Sequence, residues 1–233
     1  MELNKYVKNL NVIYEDNHII VVEKIVRVPM QKDESEDISM IDIVKEYIRV
    51  KYNKPGNVYL GMVHRLDRSV GGVVVFARTT KAMTRLSEEI RSRRMHKKYM
   101  AVLNGTLETS GVLENYLVKN EKTNKSMVCK ENTKGAKFAK LEYKVIAKQK
   151  GYTLVDIDLH TGRHHQIRVQ FSNIGHCLWG DQKYGREINK VGDYIALYAY
   201  SLTFNHPTTK EEMTFTNKPN TNIGAWKFFK ENI

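Results

Sequence analysis

The sequence predicts an α+β fold, with a mixed, mainly antiparallel sheet flanked by helices. Two observations carry that expectation. Segments of strand type outnumber segments of helical period. Most connections between strands are also too short for the helical crossovers that parallel pairs require. A chain of 233 residues makes one large domain or two small ones, and no internal repeat or linker interrupts it.

Taken in order, Val12-Ile13-Tyr14 and Ile19-Ile20-Val21-Val22 read as strands around the turn Glu15-Asp16-Asn17-His18. Residues 38–50 place Ile38, Ile41, Val44 and Ile48 at helical spacing, with acidic residues just ahead, at the positive end of the helix dipole. Asn53-Lys54-Pro55-Gly56 is a turn, and a strand is expected from Val58 to Val63. After a charged His-Arg-Leu-Asp segment and the pair Gly71-Gly72 comes the β-branched strand Val73-Val74-Val75-Phe76. Residues 80–94 carry Met83, Leu86 and Ile90 on one helical face, and Lys98 to Leu103 read as a strand ended by Asn104-Gly105. Short strands with turns are expected over 110–150. Residues 152–160 alternate, with Val155, Ile157 and Leu159 on one side and Asp156, Asp158 and His160 on the other. Thr161-Gly162 breaks that strand. A helix follows over 164–174, stacking Ile167, Phe171 and Ile174, with Gly175 as its stop. Strand signals return at 195–204 and 211–216.

Charge speaks to partners rather than to fold. Thirty-eight Lys+Arg against 26 Asp+Glu leave a formal charge of +12. Residues 91–98 hold five cations and no anion, and residues 119–150 hold ten lysines against Glu121, Glu131 and Glu142. This is the footprint of a phosphate-backbone binder. A solvated lysine-rich surface is the plain alternative for the second cluster. An anionic membrane is disfavoured, because turn residues interleave the lysines where an amphipathic helix would be needed. No apolar run approaches the ~18–20 residues of a membrane span, and no signal core opens the chain. Cys129 and Cys177 form no CxxC pair, which suits a reducing, cytoplasmic setting.

Three segments hold polar residues that packing does not require. His64-Arg65-Leu66-Asp67-Arg68-Ser69 sets a carboxylate between two arginines, which should hold it ionised; an ion-paired turn is the bland reading. Thr161-Gly162-Arg163-His164-His165-Gln166-Ile167-Arg168 opens into a helix, whose N-terminus and two arginines suit an anion. The histidines there, with His160, His176 and Cys177, lack metal-ligand spacing, and adjacent histidines normally point apart, so no metal is expected. Lys97-Lys98-Tyr99 starts a strand with a tyrosine that either packs at the core boundary or stacks on a nucleobase.

In this order and spacing, HRLDRSVGGVVVFART, KKYMAVLNG and TGRHHQIRVQFSNIGHCLWGDQKYG resemble the RluA-type RNA pseudouridine synthases over about residues 11–217. VIYEDNHIIVVEK, GAKFAKLEYKVI and LYAYSLTFNHPTTKEEMTF match the family's opening strands, mid-domain strand and C-terminal hairpin. The resemblance implies the pseudouridine-synthase fold with an RNA-binding cleft, as one catalytic domain over residues 1–233 without the optional S4-like domain. Ile25 stands where Pro is usual, Val70-Gly71-Gly72 where Thr-Ser-Gly is commoner, and His164, Gln170 and Cys177 also depart from the pattern. None of these replaces the carboxylate, the tyrosine or the second arginine.

The implied reaction breaks the C1′–N1 bond of a uridine, turns the base and joins C1′ to C5. It is redox-neutral and needs no cofactor. The resemblance makes Asp67 the catalytic carboxylate, Arg168 its ion-pair partner and Tyr99 the platform for the flipped base. Arg65 would prop the gap that the base leaves, and Arg163 would contact phosphate. Ribosomal or transfer RNA is the expected partner, with no membrane and no obligatory protein partner. Two other classes stand beside this one. A non-catalytic RNA-binding module would not need Asp67, Tyr99 and Arg168 together. A hydrolase using Asp67 with His64 or His165 lacks a supporting triad order or carboxylate pair.

Overall fold

The computed structural model describes residues 2–233. Its architecture is α+β with a mixed, mostly antiparallel sheet, as the sequence predicts. The fold gathers into two units. Among the described residues, one comprises 2–95 and 201–217, the other 96–200 and 218–233.

In the first unit, α1 (Glu2–Lys8) precedes β1 (Val12–Glu15) and β2 (Ile19–Lys24). Strand β4 (Gly71–Ala77) pairs antiparallel with β2 over Ile19–Lys24 and, at Phe76 and Ala77, with the two-residue strand β3 (Gly61–Met62). The expected strand 58–63 is therefore shorter, because only Gly61 and Met62 pair with β4. All seven residues of β4 are buried, which explains its unbroken apolar run. Helix α2 (Met40–Lys51) starts at a capping box in which Ser39 Oγ accepts from Asp42 N and Asp42 Oδ2 from Ser39 N (3.0 Å). That cap puts Ile38 outside the helix, so the buried face is Met40, Ile43, Val44 and Ile48 rather than the expected set. Helix α3 (Thr80–Arg91) is capped by Thr79, buries Ala82 and Leu86, and ends three residues before the expected boundary. These elements close over Ile19, Val21, Val73, Val75, Leu86, Phe204 and Phe215. The last two belong to the hairpin of β10 (Leu197–Asn205) and β11 (Glu212–Thr216).

The second unit is built on antiparallel strands. Strand β5 (His96–Asn104) pairs with β9 (Tyr152–Leu159), β9 with β8 (Lys137–Gln149), β8 with β6 (Gly111–Asn120), and β6 with β7 (Lys125–Cys129), which gives the order β5-β9-β8-β6-β7. Strand β8 runs for 13 residues, longer than the short strands expected over 110–150. Alternation along these strands serves two cores. Val102 and Leu154 face a C-terminal 3₁₀ segment, Gly224–Asn232, through Ala225, Trp226 and Phe229. On the opposite face, Tyr99, Ile157 and Tyr143 align across three strands, and Tyr143 meets Phe171 of helix α4 (Gln166–Asn173) edge-on at 5.2 Å. Ile167 and Phe171 are buried as expected, but Ile174 is 38 % exposed because it lies past the helix end. Neither α1, which buries no residue, nor the 3₁₀ segment gave a readable helical stripe.

Candidate active site

Asp67 lies in the first unit on a loop that is tied down from beneath. Leu66 and Val70 anchor it in the core, and Val70 N–H donates to Asp67 O (2.9 Å), which makes the chain turn at Asp67 itself. The Arg68 carbonyl accepts from Arg27 N–H (2.8 Å) and from Nζ of Lys24 (3.0 Å). Lys24, the last residue of β2, is 0 % exposed and also donates to Ile25 O (3.1 Å). A lysine almost never sits this deep without compensation. Burial pushes its ammonium down to about 7; the charge of Asp67 pulls it back up, and that of Arg68 opposes this. Lys24 thus holds the loop through the Arg68 carbonyl, and the charge of Asp67 favours its protonated form against burial.

Of the two flanking arginines, Arg68 turns away from the carboxylate toward other partners. The Arg68 guanidinium reaches into the 33–37 loop, with Asp37 and Ser35 Oγ (3.0 Å) as partners and Asp33 at 3.5 Å. Arg65 is exposed. His64 Nε2 accepts from Val75 N–H (3.3 Å), a contact that ties the loop to β4.

In the second unit, the Thr161–His165 stretch is a loop and the helix begins only at Gln166. The Gln166 side chain organises the entry. Its Oε1 accepts from Thr161 Oγ1 (2.8 Å) and Arg163 N (3.0 Å), and its Nε2 donates to Lys140 O (3.1 Å). His165 adopts a left-handed backbone (φ 53°), and this turns its ring back over His164. The two rings therefore stack at 3.8 Å instead of pointing apart. His164 Nδ1 pairs with Ser126 Oγ (2.9 Å) and His165 Nδ1 with Tyr184 Oη (2.9 Å), so both rings brace the β7 hairpin and the 181–184 turn. Among the described residues, no group of three or more His, Cys, Asp or Glu side chains could hold a metal ion. Arg163 half-buries its side chain and donates Nε to Phe138 O (2.8 Å).

Arg168 points inward from α4 and is 6 % exposed. It makes a bidentate pair with Asp181, Nε to Oδ2 and Nη2 to Oδ1, both at 2.7 Å, and lies 5.3 Å from the Tyr184 ring. Asp181 Oδ1 also accepts from the N–H groups of Lys183 (2.9 Å) and Tyr184 (3.2 Å). Burial pulls the Asp181 carboxyl up, but Arg168 and those two N–H groups outweigh burial and hold it below the usual carboxylate range. Gly180 makes the turn possible: its φ is +76°, and a Cβ there would lie 2.3 Å from Tyr194 O. Asp181, which holds Arg168, is the partner that the sequence did not reveal. It stands inside the quoted stretch WGDQKYG, yet no periodicity links it to Arg168, 13 positions back. Tyr99 is buried, on the sheet face that α4 covers.

The lysine-rich stretch is partly neutralised on the spot. Lys119, Lys140 and Lys148 pair with Glu121, Glu114 and Glu108.

Comparison with known proteins places this architecture among RNA-modifying isomerases. A family model described as RNA pseudouridylate synthase matches residues 18–173, a span that includes Asp67, Tyr99 and Arg168. The chain belongs to that family, and it is an RNA pseudouridine synthase, an enzyme that isomerises uridine in RNA to pseudouridine. An uncharacterised RNA pseudouridine synthase of Aquifex aeolicus is 31 % identical over 95 % of this chain and 73 % of its own length. The ribosomal large subunit pseudouridine synthase C of Buchnera aphidicola (subsp. Schizaphis graminum) is 30 % identical over 90 % of this chain and 68 % of its own. Among solved structures, human RNA pseudouridylate synthase domain containing 4 superposes with a TM-score of 0.78 at 22 % identity, over 94 % of this chain and 93 % of that one, a likeness of fold. No helix among the described residues is long and apolar enough to cross a membrane.

Proposed function

We propose that the chain converts a uridine of large-subunit ribosomal RNA to pseudouridine, with Asp67 as the essential carboxylate. The observation that carries this reading is the Asp67 loop. That loop presents Asp67 over the fully buried Lys24, and the ties at Val70, Arg27 and Lys24 fix its position. The ribosomal target is suggested by relatives named large subunit pseudouridine synthases C and D.

Isomerisation demands that C1′–N1 break, that the freed uracil rotate while held, that C1′–C5 form, and that C5 lose a proton while N1 gains one. Atoms and electrons balance without an external oxidant. The base must leave its stack, at a cost of a few kcal/mol. In this proposal Tyr99 stacks on the extruded base and offsets ~1–3 kcal/mol of that cost. Asp67 acts on the sugar or the base as nucleophile or electrostatic partner. Arg168, held by Asp181, keeps Asp67 charged and aimed; Arg65 props the emptied stack, and Arg163 contacts phosphate.

Mapping pseudouridines in total RNA with and without the gene tests the assignment. One or a few sites in large-subunit RNA should disappear and return with the wild-type gene. Loss confined to transfer RNA would overturn the ribosomal target.

A further inference from the structure

Lys97 has no role in the account so far, although it lies two residues before Tyr99 and on the same face of β5. Its neighbour Lys98 faces the other way, beside Asp158, and is exposed. Lys97 is half-buried, and its Nζ comes up beneath the Thr161-Gly162-Arg163 loop, 3.9 Å from where a Cβ on Gly162 would stand. Gly162 itself is exposed. Its backbone is not in the left-handed region, and an added Cβ would meet nothing else within 4 Å. Neither conformation nor packing therefore calls for glycine at this position. What glycine does is leave open space beside the ammonium.

Among the described residues, Lys97 has no hydrogen-bond or ion-pair partner. Burial draws its ammonium below the usual lysine range. A cation held this way is stabilised most by an anion brought from outside. In an enzyme acting on RNA, the abundant anion is the phosphodiester. A neutral uracil carbonyl would compensate less.

We propose that Lys97 binds a backbone phosphate adjoining the target uridine, in the space left by Gly162. This rests on the reading of Tyr99 as the platform for that uridine. The phosphate would hold the strand while the base stacks two residues further along β5.

The test uses unmodified large-subunit ribosomal RNA, transcribed in vitro, as probe. Wild-type conversion of this RNA tests the isomerase assignment by itself; the Lys97 arms test only the phosphate contact. Lys97→Met should weaken binding about tenfold at 0.1 M salt, raise KM to match and leave kcat within about twofold. The slope of log affinity against log salt should become shallower by about 0.7–0.9, the share of one phosphate. Lys97→Arg should restore the slope, and Lys98→Met should change binding less than about twofold. Gly162→Val, which fills the space without touching the charge, should weaken binding as well. Removing an uncompensated ammonium should raise the melting temperature of Lys97→Met, whereas a lysine with a structural role would lower it. Unchanged affinity and slope in Lys97→Met, or a loss no larger than that of Lys98→Met, would overturn the proposal. So would a fall in kcat at constant KM.

Discussion

Replacing Asp181 with Asn tests the pair that fixes Arg168. The carboxylate of Asp181 is 1 % exposed and accepts four hydrogen bonds, two from the Arg168 guanidinium at 2.7 Å and two from the backbone N–H groups of Lys183 and Tyr184. An amide keeps the shape but loses the charge and turns one acceptor into a donor facing Arg168. Breaking one partner of a buried pair leaves an uncompensated charge, at a cost of about 3–5 kcal/mol. At about 2.1 cal/mol/K per residue, unfolding this chain carries an entropy near 0.5 kcal/mol/K, so the melting temperature should fall by ~6–10 °C. The loss should depend on pH in a definite direction. Asp181 is depressed in the folded state, so its contribution is full above the unfolded carboxyl value and is lost as pH falls through the folded one. Urea titrations from pH 7 downward should show the gap between wild type and Asp181→Asn closing only in acid. The double variant Arg168→Met/Asp181→Asn should cost less than the two single changes added. A loss below about 1 kcal/mol at pH 7, or a gap constant into acid, would refute the reasoning.

Three further outcomes are expected. Tyr99→Ala should lose most turnover, as ~1–3 kcal/mol of stacking goes, while Tyr99→Phe keeps the platform and isolates the hydroxyl; normal turnover of the Ala variant would make Tyr99 a packing residue. Lys24 is depressed to about 7 in the folded chain, so between about pH 7 and 9.5 the unfolded state binds the extra proton and stability should rise with pH. Lys24→Met should lack that rise in denaturant midpoints, and an identical rise in both proteins would deny the depressed ammonium. On the reading that Arg168 aims Asp67, Arg168→Met should leave a low kcat with RNA affinity little changed, and a near-normal kcat would break that link.

The strands were legible because their burial alternates or is continuous. Ile157 and Asp156 on β9, or the seven buried residues of β4, state their own environment. Helix boundaries were less so, since Ser39 and Thr79 set them through caps that shift the buried face by a residue or two. The candidate residues were legible as motifs, but their supports were not. Lys24 reads as an ordinary strand-end lysine until burial is known, and Asp181 pairs with Arg168 only through a turn that Gly180 permits. The stacked histidines escaped for a similar reason. Their geometry depends on a positive φ at His165, which no residue pattern announces.

The central claim is that turnover needs the charge of Asp67 while RNA affinity does not. Asp67→Asn and wild type should be compared on one unmodified large-subunit RNA, with pseudouridine counted after complete nuclease digestion and affinity measured on the same transcript. The account predicts no pseudouridine from Asp67→Asn even at stoichiometric enzyme, with affinity within about threefold, because backbone contacts supply most of it. Pseudouridine formed by Asp67→Asn at a rate comparable to wild type would contradict it.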